Sequence, residues 1–186
     1  LFPVVTRFLD NWAYRRSTKT HMFDPLFRWL ESSAFSVWMR ESDSLFAFPG
    51  ILAAHTIGLG LLAGLSGAFA LRLLGVAKGI PPEAFRRFVP LMWIGLWMNL
   101  FTGIALLIGY PTKALTNPVF YLKLGLIAAG LVILRAIFRR TGSAQAAMGV
   151  TKVLAAALLI AWIATITAGR LLAYTYTRLS VDSLPR

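Results

Sequence analysis

At 186 residues, 58% of them hydrophobic and only 14% charged, with mean hydropathy +0.69, the chain is too apolar for a soluble domain and too short for a transporter built of two large halves. The absence of cysteine excludes disulfides, thiolate metal sites and iron–sulfur clusters. The net charge of +12 would suggest nucleic acid in a soluble protein, but in a membrane protein it belongs to basic loops, so no nucleic-acid partner is expected.

Residues 1–20 mix apolar side chains with Arg7, Arg15, Arg16 and Lys19. The basic cluster follows the short apolar run, the reverse of the order in a signal peptide. Phe23, Phe27, Leu30, Ala34 and Val37 then recur at intervals of four and three, with Arg28, Glu31 and Ser32 off that line. The pattern predicts an amphipathic helix over 23–39, carrying Trp29 and Trp38 along the membrane surface, with packing in a small extramembrane cap as the alternative. His21, in the polar lead-in, reads as a solvated residue.

Residues 45–74 carry no charge until Arg72, which exceeds the ~20 apolar residues needed to cross a ~30 Å hydrocarbon core. His55 lies within this first predicted span, and an imidazole there is costly unless it faces the protein interior and finds a partner. Gly60 and Gly64 form a small-xxx-small pair suited to close helix contact. Gly58, one turn from His55 on the same face, either packs in the same way or leaves room for a flat cofactor. A turn and a short helical re-entry are expected over 75–88, where Gly79, Pro81 and Pro82 cluster.

The second span is predicted over 89–110, with Trp93, Trp97, Met98, Asn99 and Thr102 inside it, followed by a polar loop at 111–118. Asn117-Pro118 opens a third span over 119–137 that contains Lys123, and a basic connection covers 139–149. The fourth, over 150–174, carries Trp162, Thr165, Thr167 and Arg170, and the chain ends in a polar tail. The expected architecture is an all-α membrane protein: a four-transmembrane-helix bundle over 45–176, preceded by an amphipathic N-terminal interfacial segment over 1–44.

The first–second and third–fourth connections gather Arg72, Lys78, Arg86, Arg87, Arg135, Arg139, Arg140 and Lys152 against one acid, Glu83. Positive-inside bias assigns both to the cytoplasm and both termini to the periplasm of a bacterial inner membrane. Arg7, Arg15, Arg16 and Lys19 oppose this bias but lie farther from a span than the rule counts.

With that topology His55 sits roughly 15 Å below the outer end of its span, level with Met98 and Asn99, whereas Lys123 and Arg170 lie roughly 6–8 Å deep. One mid-depth imidazole, two cations nearer the surface and a glycine-lined interior are what haem b would need. His55 would ligate iron, Lys123 and Arg170 would pair with the propionates, Gly58 would admit the macrocycle, and Met98 is a candidate sixth ligand. With no second imidazole inside the spans, the alternatives are a five-coordinate haem or one completed by a partner subunit. A quinone is the next candidate, with His55 or Asn99 bonding a carbonyl oxygen. Structural roles stand beside these: Lys123 and Arg170 can snorkel, and His55 can bond a Thr or Asn of a neighbouring helix.

The stretches SDSLFAFPGILAAHTIGLGLLAG, ALRLLGV, FVPLMWIGLWMNLFTGIALLI and YPTKALTNPVFYLKLGLI resemble a family of uncharacterised four-span bacterial inner-membrane proteins over residues 40–130. More distantly, the chain is similar to the membrane domain of copper-resistance D proteins and to small b-type cytochrome domains. His55, Gly58, Arg72, Thr102, Gly103, Asn117 and Lys123 occupy the motif positions of that resemblance. Leu52 stands where the family often has an acid, which removes a proton-carrying or metal-binding role there. The resemblance implies the four-span fold more strongly than any chemistry.

All seven acids lie outside the predicted spans, which argues against a proton pump, a carboxylate metal site or a hydrolase. The leading expectation is an electron-transfer subunit holding haem b or a quinone at His55, in contact with other membrane subunits or a periplasmic redox partner, as a homo- or hetero-oligomer. The alternative is a non-catalytic structural or assembly subunit. A copper or small-solute permease is weakened by the absence of Cys, paired His and a close Met motif.

Overall fold

The computed structural model describes residues 24–76, 78–141 and 148–181; His21 and the segment 1–20 lie outside them. Those residues form helices and turns, with no strand among them. The helices are α1 (Asp24–Glu31), α2 (Ala34–Glu41), α3 (Phe48–Leu59), a π-helical turn (Gly60–Gly64), α4 (Leu65–Leu74), a 3₁₀ helix (Pro82–Phe88), α5 (Val89–Gly109), α6 (Pro111–Leu115), α7 (Pro118–Thr141) and α8 (Met148–Val181). Four stretches are long and apolar enough to cross a bilayer: Phe48–Leu74, Pro82–Gly109, Pro118–Thr141 and Gly149–Leu172. The protein is a four-span helical membrane bundle.

Large apolar side chains point outward at many depths, among them Ile57, Trp97, Phe101, Val132 and Ile163. In water so much exposed apolar surface would aggregate; around membrane-length helices it is the surface that lipid covers.

The amphipathic segment is two helices instead of one, because the Ser32-Ser33 pair interrupts the ladder. Ser33 takes extended backbone angles, and its hydroxyl accepts from the Ser36 N–H at 3.3 Å, capping α2. The break re-aims the second half, so Ser36 and Met39 are buried while Ala34 is exposed. The polar loop expected after the second span contains the short α6, begun by Pro111, whose ring is suited to a first helical position. At the start of α7 the Asn117 side-chain oxygen accepts from the Val119 N–H at 3.0 Å.

The first span is divided by the π turn, an irregularity that glycines at both ends tolerate. Before it, α3 packs on α5; after it, α4 packs on α8, and α7 completes a second pair with α8. The apolar core therefore lies in the half of the bundle nearer the basic connections, where Leu62, Phe69, Met92, Leu134, Ile137, Leu158 and Trp162 meet. Phe69 stacks on Phe138 with centroids 5.0 Å apart. At this end Gly75 closes α4 at φ +106°, and the Arg72 guanidinium donates to the carbonyls of Ile80 and Lys78, pinning the connection.

The opposite end is covered by α1, α2 and α6. The Gly109 carbonyl that ends α5 accepts from Ser36 Oγ and from Arg40, each at 3.3 Å, and Arg40 also donates to the Glu31 carbonyl at 2.6 Å. Thr112 donates to the Glu31 carboxylate at 2.6 Å. Trp29, Phe35, Trp38, Leu45 and Phe46 are exposed around this cap, where aromatic side chains suit the boundary between lipid and water.

Candidate functional site

Between the core and the cap, four polar side chains from three spans meet at His55. Asn99 and Thr102 are a turn apart on α5, so both face α3, and Lys123 approaches from α7. Asn99 Nδ2 donates to the His55 carbonyl at 2.8 Å, which anchors α3 to α5 one turn from the imidazole's own contacts. Thr102 Oγ1 lies 3.0 Å from His55 Nδ1, and Lys123 Nζ lies 3.4 Å from His55 Nε2.

The Thr102 hydroxyl fixes the tautomer. It is 2.6 Å from the Met98 carbonyl and 3.3 Å from that of Asn99, both of which can only accept, so its one hydrogen is committed to the helix backbone. With that hydrogen so placed its oxygen accepts from His55, which assigns the ring proton to Nδ1. Neutral His55 consequently presents a lone pair at Nε2, toward Lys123. Among the described residues Lys123 makes this one hydrogen bond and faces no carboxylate. His55 and Lys123 are both half-buried.

Glycines let the helices approach. A Cβ at Gly58 would stand 2.9 Å from the Asn99 nitrogen and 2.9 Å from the Gly95 oxygen, so the space beside Gly58 is filled by the backbone of α5. One at Gly103 would stand 3.4 Å from His55 Cε1, and one at Gly169 3.8 Å from Lys123 Nζ. The lysine thus lies between α3 and α8, joining the α3–α5 pair to the α7–α8 pair.

Of the residues expected at the site, His55, Asn99 and Lys123 converge directly, and Gly58 makes the crossing that holds them. Met98 contributes its carbonyl to Thr102. Arg170 is exposed, beside Gly169 in sequence and outside the cluster of contacts. Thr102, a polar residue of the second span and a motif position, is the hydrogen-bond partner of the imidazole, and Gly103, seen only as a motif position, lies beside its Cε1. Lys123 turns inward, its flexible stem making up the difference in depth that separates it from His55 in a linear count. No group of three or more His, Cys, Asp or Glu able to hold a metal ion occurs among the described residues. Outside the spans, burial holds the Lys113 amine below its ordinary value, with Nζ 5.8 Å from the centroid of the Tyr110 ring.

No family model, curated protein or solved structure matches the chain.

Proposed function

We propose that the chain is a subunit of a bacterial inner membrane, with the capped end of the bundle toward the periplasm, that holds a lipid-soluble redox group at His55. It takes part in electron transfer within a larger membrane or periplasmic complex. The observation that carries this reading is the His55–Lys123 pair: an imidazole whose Nε2 meets, in one long contact, an amine that faces no carboxylate among the described residues, half-buried at membrane depth. A quinone is the favoured group. Its apolar body reaches the site through the bilayer, and its oxygen supplies a further acceptor for Lys123, whose three donors have, among the described residues, only His55 Nε2 at 3.4 Å.

Haem b is the second reading, supported by the Nδ1–H bond to Thr102. A ligating imidazole is usually held in this way, with its second nitrogen donating to a neighbour. It requires Lys123 to withdraw from Nε2, and the macrocycle to enter from a side other than Gly58, where α5 leaves no room. Bound haem would supply one-electron chemistry, and His55 would be its protein ligand.

The test is a reduced-minus-oxidised visible spectrum of the detergent-purified chain, with a pyridine haemochrome assay and solvent extraction of quinone. Near-stoichiometric quinone that is lost in His55→Ala supports the first reading. A b-type α-band lost in the same variant supports the second. A folded protein with neither group sinks both and leaves a structural or assembly subunit.

A further inference from the structure

The tautomer of His55 says more about the ligand than that it is redox-active. We infer that the group seated at this site is a hydroxyl, so that the site takes a quinol, or another lipid-borne phenol, in preference to the matching quinone. This rests on reading the cluster as a quinone site. As an ammonium, Lys123 Nζ offers only donors, and Thr102 leaves His55 Nε2 only able to accept. Their contact of 3.4 Å is longer than a good N–H hydrogen bond, so little is lost when the lysine stem shifts to admit an oxygen.

A hydroxyl oxygen satisfies both partners at once: it accepts from Lys123 and donates its proton to Nε2. A quinone carbonyl accepts from Lys123 but has no proton for Nε2, so that nitrogen keeps only its long contact with the lysine and the ligand forms one hydrogen bond fewer. Thr102 is therefore a positioning residue, selecting the reduced ligand by making Nε2 the acceptor nitrogen. Asn99 cannot replace it, because its amide is committed to the His55 carbonyl.

The test uses the full chain in nanodiscs and two matched pairs of probes: a short-chain benzoquinol with its quinone, and a 4-alkylphenol with its O-methyl ether, which differ in the donor. The wild type should bind the quinol and the phenol up to about tenfold more tightly than their partners, the range expected for one additional hydrogen bond. Thr102→Val should bring each ratio near one, and Thr102→Ser should keep it. The ¹⁵N spectrum of the His55 ring, assigned against His55→Gln, should show the proton on Nδ1 in the wild type and in Thr102→Ser. Equal affinity of phenol and ether in the wild type, a preference unchanged in Thr102→Val, or a ring proton on Nε2 overturns the inference. Quinone binding at least as tight as quinol overturns it while leaving the redox reading standing, whereas failure of all four probes removes both.

Discussion

Gly58 and Asn99 touch through their backbones: a methyl group added at Gly58 would lie 2.9 Å from the Asn99 nitrogen and 3.3 Å from its Cα. Neither atom belongs to a flexible side chain, so Gly58→Ala must part α3 from α5. It should cost about 1–3 kcal/mol, the usual penalty for overpacking. It should also lengthen the Asn99 bond to the His55 carbonyl, with every side chain of the cluster intact. Gly60→Ala is the control, because a Cβ there meets nothing within 4 Å. Thermal unfolding in detergent should separate the two variants; equal midpoints would show that the crossing is not tight.

Thr102 is expected to matter to stability as well as to ligand choice. Thr102→Val keeps the shape but leaves the Nδ1–H of His55 unpaired, and interhelical hydrogen bonds in membranes average about 0.6 kcal/mol with a maximum near 1.7. A loss within about that range is expected. Thr167→Val should be silent, because Thr167 is exposed and its hydroxyl bonds only the Ile163 carbonyl of its own helix, at 2.9 Å. Urea or thermal midpoints of the two variants, compared in one detergent, check the difference.

The spans were legible because each requires only length and apolarity, and both can be read locally. The bond between His55 and a Thr or Asn on a neighbouring helix was also within reach, since few polar side chains occur inside the spans. The partner of Nε2 was not. Counting residues puts Lys123 well above His55, and only the direction of a long stem, which sequence does not encode, brings them together. The π turn was hidden for a similar reason: Gly60 and Gly64 permit it, but the same spacing suits ordinary close packing. The Ser32-Ser33 break was hidden because the apolar repeat of Phe27, Leu30, Ala34 and Val37 runs straight through it.

At the basic end, Gly75 should not accept a side chain. Its φ of +106° is a left-handed conformation that costs other residues roughly 1–2 kcal/mol. Gly75→Ala is expected to lower stability by about that amount and to loosen the connection that Arg72 pins. Arg72→Ala removes the bonds to the Ile80 and Lys78 carbonyls without straining the backbone. Protease sensitivity between Arg72 and Pro82 should rise in both variants, while the thermal midpoint should fall more in Gly75→Ala. Unchanged cleavage in Arg72→Ala would mean that the guanidinium does not hold this connection.

The capped end offers a compensation that can be measured. Met39 is 1% exposed, and a methyl group added at Gly109 would fall on its Cε atom. Gly109→Ala alone should therefore push the flexible end of the methionine aside and loosen α2, at a cost toward the lower end of about 1–3 kcal/mol. Met39→Ala alone leaves a void in the same place, for which buried methionines lose about 2–5 kcal/mol in well-packed cores. In the double variant the alanine methyl at 109 fills part of the space that Met39 vacated, so the losses should not add. The coupling should lie between about 0.5 and 3 kcal/mol, in the range of contacting residues. Because the cap is held to α5 at Gly109 by Ser36 and Arg40 as well, the response should be local: hydrogen exchange of α1 and α2 should quicken in each single variant and recover in the double, with α7 and α8 unaffected. Additive losses would show that Met39 does not occupy the space beside Gly109.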